Sequence, residues 1–339
     1  MNGTKVAVLY QAEPPPAIGG LVKPMKPGGY SDSGADIAFN LRQSGVSVAT
    51  PHGAPDPPVA LDWVYPDTAP GIARALEDGA NVLWANTVLF DGHPLQGLRD
   101  GERIVGQDPA TVGRFDDKFA TNEILREHGL SVVRSRLVTR ASPLGEERLP
   151  IVLKPVRGRG SQGVRLIRTP AELGEAIESA AREFGEPLIL EEFLPGQEIT
   201  LTVLPPGRYR DGQRDTHWSL PAVTRRNHID GIAPYNGTVA VVRNSEVLPA
   251  TATMERAARQ CEAAARIVGA RAAIRIDCRM ADDGEFRLFD LNMKPNLTGP
   301  GRPGREDQDS LTSLAARALG WDYGQLLLNL LDQAWSPER

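Results

Sequence analysis

Residues 272–292 read AAIRIDCRMADDGEFRLFDLN. Two apolar, strand-like runs flank an Asp-Asp-Gly turn, which predicts a β-hairpin. Because side chains alternate along a strand, Arg275 and Asp277 share one face, as do Asp290 and Asn292, and the hairpin places the two pairs opposite each other. Two carboxylates and an amide oxygen are hard ligands suited to Mg²⁺ on nucleotide phosphates. The alternative is a solvated hairpin face with a salt bridge, although the apolar flanks argue against full solvation.

A glycine-rich loop lies upstream, between two further strand-like runs. Residues 154–163 read KPVRGRGSQG, with Lys154 at the end of its strand. Glycines let backbone N–H groups approach phosphate oxygens without an intervening side chain. The loop is not a P-loop, because the GxxxxGK[ST] pattern is absent. Phosphate binding is therefore one interpretation, and an ordinary glycine hairpin with a surface lysine is the other.

Acidic residues follow the next buried strand, in residues 188–198, which read LILEEFLPGQE. Glu191 could accept a hydrogen bond from an adenine amino group, the backbone at Leu194 could read the adenine edge, and Glu198 could hold ribose hydroxyls. A strand that ends at the surface is the alternative. Lys118, after Asp117 at the start of a predicted helix, could likewise contact phosphate or be solvated.

Strand and helix patterns divide the chain into three predicted units. In residues 1–105, short apolar runs alternate with helical patterns, which indicates a parallel α/β sheet. We place a central unit at 106–191 and a C-terminal unit at 192–339, each with strands and helices. Within the last unit, residues 238–242 resemble a strand, and residues 207–215 resemble a polar, solvated loop.

Composition and charge exclude several classes of protein. The 339 residues are 41% hydrophobic and 24% charged, with a net charge of −5, which is typical of a globular protein and unfavourable for generic binding to nucleic acid or an anionic membrane. The N-terminal apolar run is too short for a signal peptide, and no stretch approaches the roughly 20 apolar residues of a membrane helix. Two cysteines without a CxxC motif fit reduced thiols. We expect a cytoplasmic location.

The ordered set of motifs resembles the ATP-grasp superfamily, and within it the D-alanine–D-alanine ligase branch, from about residue 113 to the C-terminus. The resemblance implies a Rossmann-like parallel-sheet domain followed by the two α+β subdomains of an ATP-grasp fold, a central lid and a catalytic unit. It also implies ATP and two Mg²⁺ ions as cofactors. The implied nucleotide contacts are Lys118, Lys154, Gly160, Ser161, Gly163, Glu191, Glu192, Leu194 and Glu198. The implied metal ligands are Asp277, Asp290 and Asn292.

The same resemblance suggests roles around the reaction centre. Arg275 and the backbone N–H of Asn296 would stabilise the oxyanion, and Lys294 would lie beside them. Ser310 and Leu311 resemble the start of the ligases' final helix and are implied substrate contacts, with Ser310 binding the carboxylate of an acceptor amino acid. Further substrate contacts are predicted at Glu13, Lys26 and Tyr30 in the N-terminal unit, and at Arg226 and Tyr235 in a loop that could close over the site.

Some residues depart from the ligase pattern. Asp290 stands where these ligases usually carry Glu, Asn296 stands in place of a glycine, and Lys294 stands in place of a serine. The loop that contains Lys26 and Tyr30 does not resemble the ligases' loop for the donor amino acid. The nucleotide half of the site therefore matches the family better than the substrate half.

These residues predict an ATP-dependent carboxylate–amine ligase that works through an acyl-phosphate, an amino-acid or dipeptide ligase of specialised metabolism. The alternatives are a D-alanine–D-alanine ligase of cell-wall synthesis, an ATP-grasp enzyme with a non-amine acceptor (a thiol ligase or carboxylase), and a nucleotide-binding regulatory protein. The expected partners are ATP and small carboxylate or amino-acid substrates, with no nucleic acid and no membrane. A homodimer is left open.

Overall fold

The computed structural model describes residues 3–18, 25–145, 147–158, 162–228, 231–232 and 241–337. Within them the chain forms a parallel sheet followed by antiparallel sheets, with helices packed between and around them. This confirms the predicted α/β class. The predicted unit boundaries after residues 105 and 191 remain a prediction. The sheets change close to those points, although the strand at the second boundary continues to Glu192.

The first sheet is parallel throughout, as its alternating strands and helices predict. It contains β1 (Lys5–Tyr10), β2 (Ser47–Val48), β3 (Val64–Pro66), β4 (Val82–Asn86) and β5 (Arg103–Val105). The order is β2-β1-β4-β5, with β3 also paired to β1. Helices α1 (Ser31–Gln43), α2 (Ala69–Glu77) and α3 (Pro109–Arg114) accompany it. The carboxyl ends of β1 and β4 meet at one edge, where ligands commonly bind in open parallel sheets.

The second sheet is antiparallel and carries one long helix. It contains β6 (Ser135–Val138), β7 (Ile151–Pro155), β8 (Arg165–Ile167) and β9 (Leu188–Glu192), in the order β6-β9-β7-β8. Helix α4 (Lys118–Glu127) precedes the sheet, and α5 (Pro170–Phe184) packs its apolar stripe against it. The buried residues between this sheet and α5 form a cluster separate from those of the other sheets.

The third sheet is the largest and carries the hairpin. Its strands are β10 (Glu198–Leu204), β13 (Trp218–Ser219), β14 (Val223–Arg225), β15 (Ser245–Val247), β16 (Ile274–Met280) and β17 (Phe286–Asn292), while β11 (Gly207–Tyr209) and β12 (Gly212–Arg214) pair separately. The helices are α6 (Val241–Asn244), α7 (Ala252–Ile267), α8 (Leu311–Ala318) and α9 (Tyr323–Leu331). In the described part of the chain, no helix is long and apolar enough to cross a bilayer.

Two local predictions in this unit are wrong. Residues 207–214 form the β11–β12 hairpin rather than a loop; most of them are exposed, as predicted, but Tyr209 is buried against Trp218 and Trp321. Aromatic packing that is remote in sequence therefore outweighs the polar composition. The prediction of a strand at 238–242 is also wrong for residues 241 and 242, because helix α6 begins at Val241. Residues 238–240 lie outside the described residues.

Candidate active site

A cavity of about 640 Å³ is lined by residues from all three sheets. Asn86 reaches it from the carboxyl end of β4, Lys154 from β7, and Asp277 and Asp290 from the β16–β17 hairpin. A cavity of this size accommodates a nucleotide-sized ligand. Most of the predicted site residues in the described part of the chain line it.

The hairpin has the register that the sequence predicts. Asp277 pairs with Asp290 across the two strands, and Arg275 pairs with Asn292, with a bulge after Asp277. All four side chains line the cavity. The two carboxylates and the amide oxygen are thus gathered on one face.

Each hairpin carboxylate is paired with a cation. Asp277 accepts from Arg275 Nη2 at 3.1 Å and from Thr200 Oγ1 at 2.7 Å, and Asp290 accepts from Lys118. Burial alone would raise the pKa of Asp290, but Lys118 and the other nearby cations outweigh it and hold that pKa below its usual value. The ionised form of Asp290 is therefore favoured, as metal ligation or phosphate exchange requires.

The oxygen donors of the hairpin fit Mg²⁺ when they are taken together with phosphate oxygens. Asn292 Oδ1 accepts from the backbone N–H of Lys294 at 3.0 Å, and a carbonyl oxygen has a second lone pair. Among the described residues, no group of three or more His, Cys, Asp or Glu side chains could hold a metal by itself. The protein ligands would therefore be Asp277, Asp290 and Asn292, with the nucleotide completing the set, as is usual for Mg²⁺.

Lys154 and Glu191 form a buried ion pair between neighbouring strands β7 and β9. Lys154 Nζ lies 2.6 Å from Glu191 Oε2 and donates to the Phe289 carbonyl at 3.2 Å. Burial raises the pKa of Glu191 despite the attraction of Lys154. Lys154 from the second sheet and Lys118 from helix α4 therefore both reach the hairpin.

Glu198 is surrounded by two arginines and a histidine that the sequence interpretation did not connect with it. His228 Nε2 is 2.9 Å from its carboxylate, Arg279 Nη2 is 3.3 Å away, and Arg225 Nη1 is 3.8 Å away. These groups lower the pKa of Glu198, although its burial acts in the opposite direction. Arg279 shares a strand face with Arg275 and Asp277, so alternation could have identified it, whereas His228 lies in a loop with no comparable signal.

Several other predicted contacts also line the cavity. Glu192 and Leu194 do so at the end of β9, and Asn296 lies beyond β17, where its Oδ1 accepts from the Thr298 N–H at 3.2 Å. Lys26 and Lys294 line the part of the cavity that faces the first sheet.

The remaining predicted substrate contacts lie away from the cavity lining. Glu13 is exposed, and Arg226 pairs with Glu246. Ser310 is buried as the N-cap of α8, where Oγ accepts from the Ser313 N–H at 3.1 Å, and Leu311 is buried beside it.

The predicted flap and lid are described only in part. Gly163 is described and has a left-handed φ of 72°, a conformation that favours glycine. Gly160, Ser161 and Tyr235 lie outside the described residues.

Comparison with known proteins gives consistent results. A family described as "D-ala D-ala ligase C-terminus" matches residues 126–332. A protein of Parabacteroides distasonis named D-alanine–D-alanine ligase is 28% identical over 301 residues, which are 84% of this chain and 83% of the relative. A protein of the same name from Anaeromyxobacter sp. (strain K) is 30% identical over a stretch that covers 71% of this chain and 74% of the relative.

The fold is also shared with solved structures. The crystal structure of D-alanine–D-alanine ligase from Bacillus anthracis complexed with ATP superposes with a TM-score of 0.66, at 18% identity, over 97% of this chain and 96% of that one. At this identity the likeness concerns the fold alone.

Proposed function

The chain belongs to the D-alanine–D-alanine ligase family of ATP-dependent, carbon–nitrogen bond-forming ligases, and we propose that it joins the carboxylate of one amino acid to the amine of another. One observation carries this proposal. Lys118 and Lys154, which come from the second unit, meet the Asp290 region of the catalytic hairpin inside one cavity.

In the proposed nucleotide site, ATP lies between the second and third sheets. Lys118 and Lys154, now paired with Asp290 and Glu191, would exchange these carboxylates for phosphate oxygens. Glu191 and the backbone near Leu194 would meet the adenine, and Glu198 would meet the ribose. Each of these residues lines the cavity, which supports the assignment.

In the proposed metal site, Asp277, Asp290 and Asn292 would hold Mg²⁺ against the phosphates. When bound, the metal supplies charge compensation at the transferred phosphoryl group. Arg275 lies opposite Asn292 and so adds a fixed positive charge from the protein itself.

The proposed reaction has two steps. A donor carboxylate oxygen attacks the γ-phosphorus of ATP, so that ADP leaves and an acyl-phosphate forms. The acceptor amine then attacks the acyl carbon, and inorganic phosphate leaves as the amide forms. Arg275 and the Asn296 N–H would stabilise the oxyanion of this second step, because both residues line the cavity.

The names of the relatives make D-alanine the first candidate for both substrates. Joining two D-alanines therefore has more support than an amino-acid or dipeptide ligase of specialised metabolism, which no relative described above favours. A cytoplasmic location and a homodimer both remain proposals.

The test is Mg²⁺-dependent release of ADP and phosphate, with mass detection of the product. We expect release only when a donor and an acceptor amino acid are both present. Because amide formation loses one water, the mass of the product should equal the sum of the two amino acids minus water. Arg275→Met should slow product formation but retain nucleotide binding. Phosphate release that requires a thiol or bicarbonate instead of an amine would contradict the proposal.

A further inference from the structure

Two lysines from different units approach one aromatic ring on the wall of the cavity that faces the first sheet. Lys294 Nζ lies 3.5 Å from the centroid of the Tyr30 ring, and Lys26 Nζ lies 5.4 Å from it. All three residues are partly buried and line the cavity. The ring attracts cations on its face, so it holds both ammonium groups beside the cavity.

The ring itself is held in a strained position. Tyr30 has a left-handed φ of 68°, which is uncommon for a bulky residue. Its carbonyl accepts from Asn86 Nδ2 at 2.9 Å and from Ser33 Oγ at 3.0 Å. Such strain persists where the surroundings impose it, and it clusters at binding sites.

Asn86 also fixes the position of the Lys294 ammonium group. Its Nδ2 donates to Tyr30 and to Ser33 Oγ, so its Oδ1 faces the opposite way and accepts from Lys294 Nζ at 3.2 Å. Asn86 is buried at the end of β4, and the amide is therefore a rigid support. Lys294 is thus placed by the first sheet although it belongs to the catalytic unit.

The charged groups around Lys26 include two arginines that are themselves paired with two carboxylates. The buried carboxylate of Asp36 is engaged by Arg302 Nε at 2.7 Å and by Arg305 Nε at 2.8 Å. Burial lowers the pKa of Lys26, and the nearby Arg305 lowers it further, while the largely exposed Asp32 acts in the opposite direction. The ammonium groups of Lys26 and Lys294 are therefore the charges that an added anion would meet at this wall.

The backbone relates this wall to the donor rather than the acceptor. The Lys294 N–H donates to Oδ1 of Asn292, a proposed metal ligand at the transferred phosphate. The donor carboxylate must reach that phosphate, so a bound donor would lie near the backbone of Lys294. Ser310, the proposed acceptor contact, lies outside the cavity lining.

We propose that Lys26, Lys294 and Tyr30 form a subsite for a second anionic group on the donor, so that this chain takes an amino acid with an acidic side chain in place of the donor D-alanine that the names of its relatives suggest. This refinement rests on the proposed ligase function, because only a ligase of this kind has a donor.

The test measures donor binding apart from turnover. Calorimetry with Mg²⁺ and a non-hydrolysable ATP analogue would compare alanine with aspartate, glutamate and O-phosphoserine, each in both configurations. We expect the preferred acidic donor to bind at least about tenfold more tightly than alanine, and Lys26→Gln or Lys294→Gln to weaken it by about ten- to a hundredfold. Alanine binding should change by less than about twofold, since alanine has no group for the subsite.

Two further variants guard against a merely structural effect. Lys294→Arg keeps the charge and should retain most of the preference for acidic donors. Lys5→Gln removes a lysine that donates to the Asp78 carbonyl, beyond the other end of β1, and should change nothing. Equal binding of alanine and acidic donors, binding of neither, or indifference to both glutamine variants would overturn the inference. Acidic donors that bind through the lysines without any amide product would instead overturn the ligase proposal alone.

Discussion

Replacing Lys154 with methionine tests whether this buried lysine serves the nucleotide or only the fold. Its ammonium nitrogen lies 2.6 Å from Glu191 Oε2, and both side chains are about 5% exposed. Removing one partner of a buried pair leaves the other charge without compensation, at a cost of about 3–5 kcal/mol. Because the raised pKa of Glu191 makes its protonation easier, we expect the lower end, about 3 kcal/mol.

The double variant Lys154→Met/Glu191→Gln separates the two roles. It no longer buries an unpaired carboxylate, so its free energy of unfolding should recover most of the loss, whereas nucleotide affinity should not recover. A charge-assisted contact to phosphate contributes about 1.5–3 kcal/mol, or about ten- to a hundredfold in Kd. Urea unfolding followed by circular dichroism gives the first quantity, and calorimetry with a non-hydrolysable ATP analogue gives the second.

Glu191→Gln alone is the matched control, since it shows how much affinity depends on the proposed adenine contact. If Lys154→Met lowers the free energy of unfolding but leaves nucleotide affinity unchanged, Lys154 is a structural lysine. The phosphate assignment would then be wrong.

Three further predictions concern the hairpin, the acceptor and pH. Asp290→Asn and Asn292→Ala should stay folded but lower Mg²⁺-dependent ADP formation. The loss should exceed the roughly 10–100-fold that is typical of removing a group that supports a metal ligand. Turnover like that of the wild type would show that the ligands are assigned wrongly. Ser310→Ala should raise the acceptor KM and leave ATP affinity unchanged. Loss of the helix cap should also cost about 1 kcal/mol of stability. A loss of ATP affinity equal to the rise in acceptor KM would refute the assignment of Ser310 to the acceptor alone. The pKa of Glu198 is lower in the folded protein than its ordinary value of 4.5, so the ionised carboxylate stabilises the fold at pH values above 4.5. This stabilisation is lost as the pH falls through the lower, folded-state pKa. Glu198→Gln should therefore be about 3 kcal/mol less stable than the wild type near pH 7. Urea titrations should show this difference closing in acid, and a constant difference would contradict the pairing of Glu198 with Arg225 and Arg279.

Local patterns were sufficient for much of the fold. The alternation of strands and helices predicted the parallel first sheet, and the apolar runs around the Asp-Asp-Gly turn predicted the β16–β17 hairpin with its register. These features depend on side-chain periodicity and turn chemistry, which are properties of neighbouring residues. The hairpin at 207–214 was not predicted because its only buried side chain, Tyr209, packs against Trp218 and Trp321, whose positions along the chain carry no local signal.

For the site, the sequence by itself determined which groups are present and their order along the chain: lysines first, then acidic residues, then the hairpin ligands. Only the tertiary structure decided which of them meet. It joined Lys154 to Glu191, surrounded Glu198 with cations, and brought Lys26 and Lys294 to the same ring. Pairings of this kind link residues far apart in sequence, and they follow from how the three sheets pack, since a charge finds its partner through space and not along the chain.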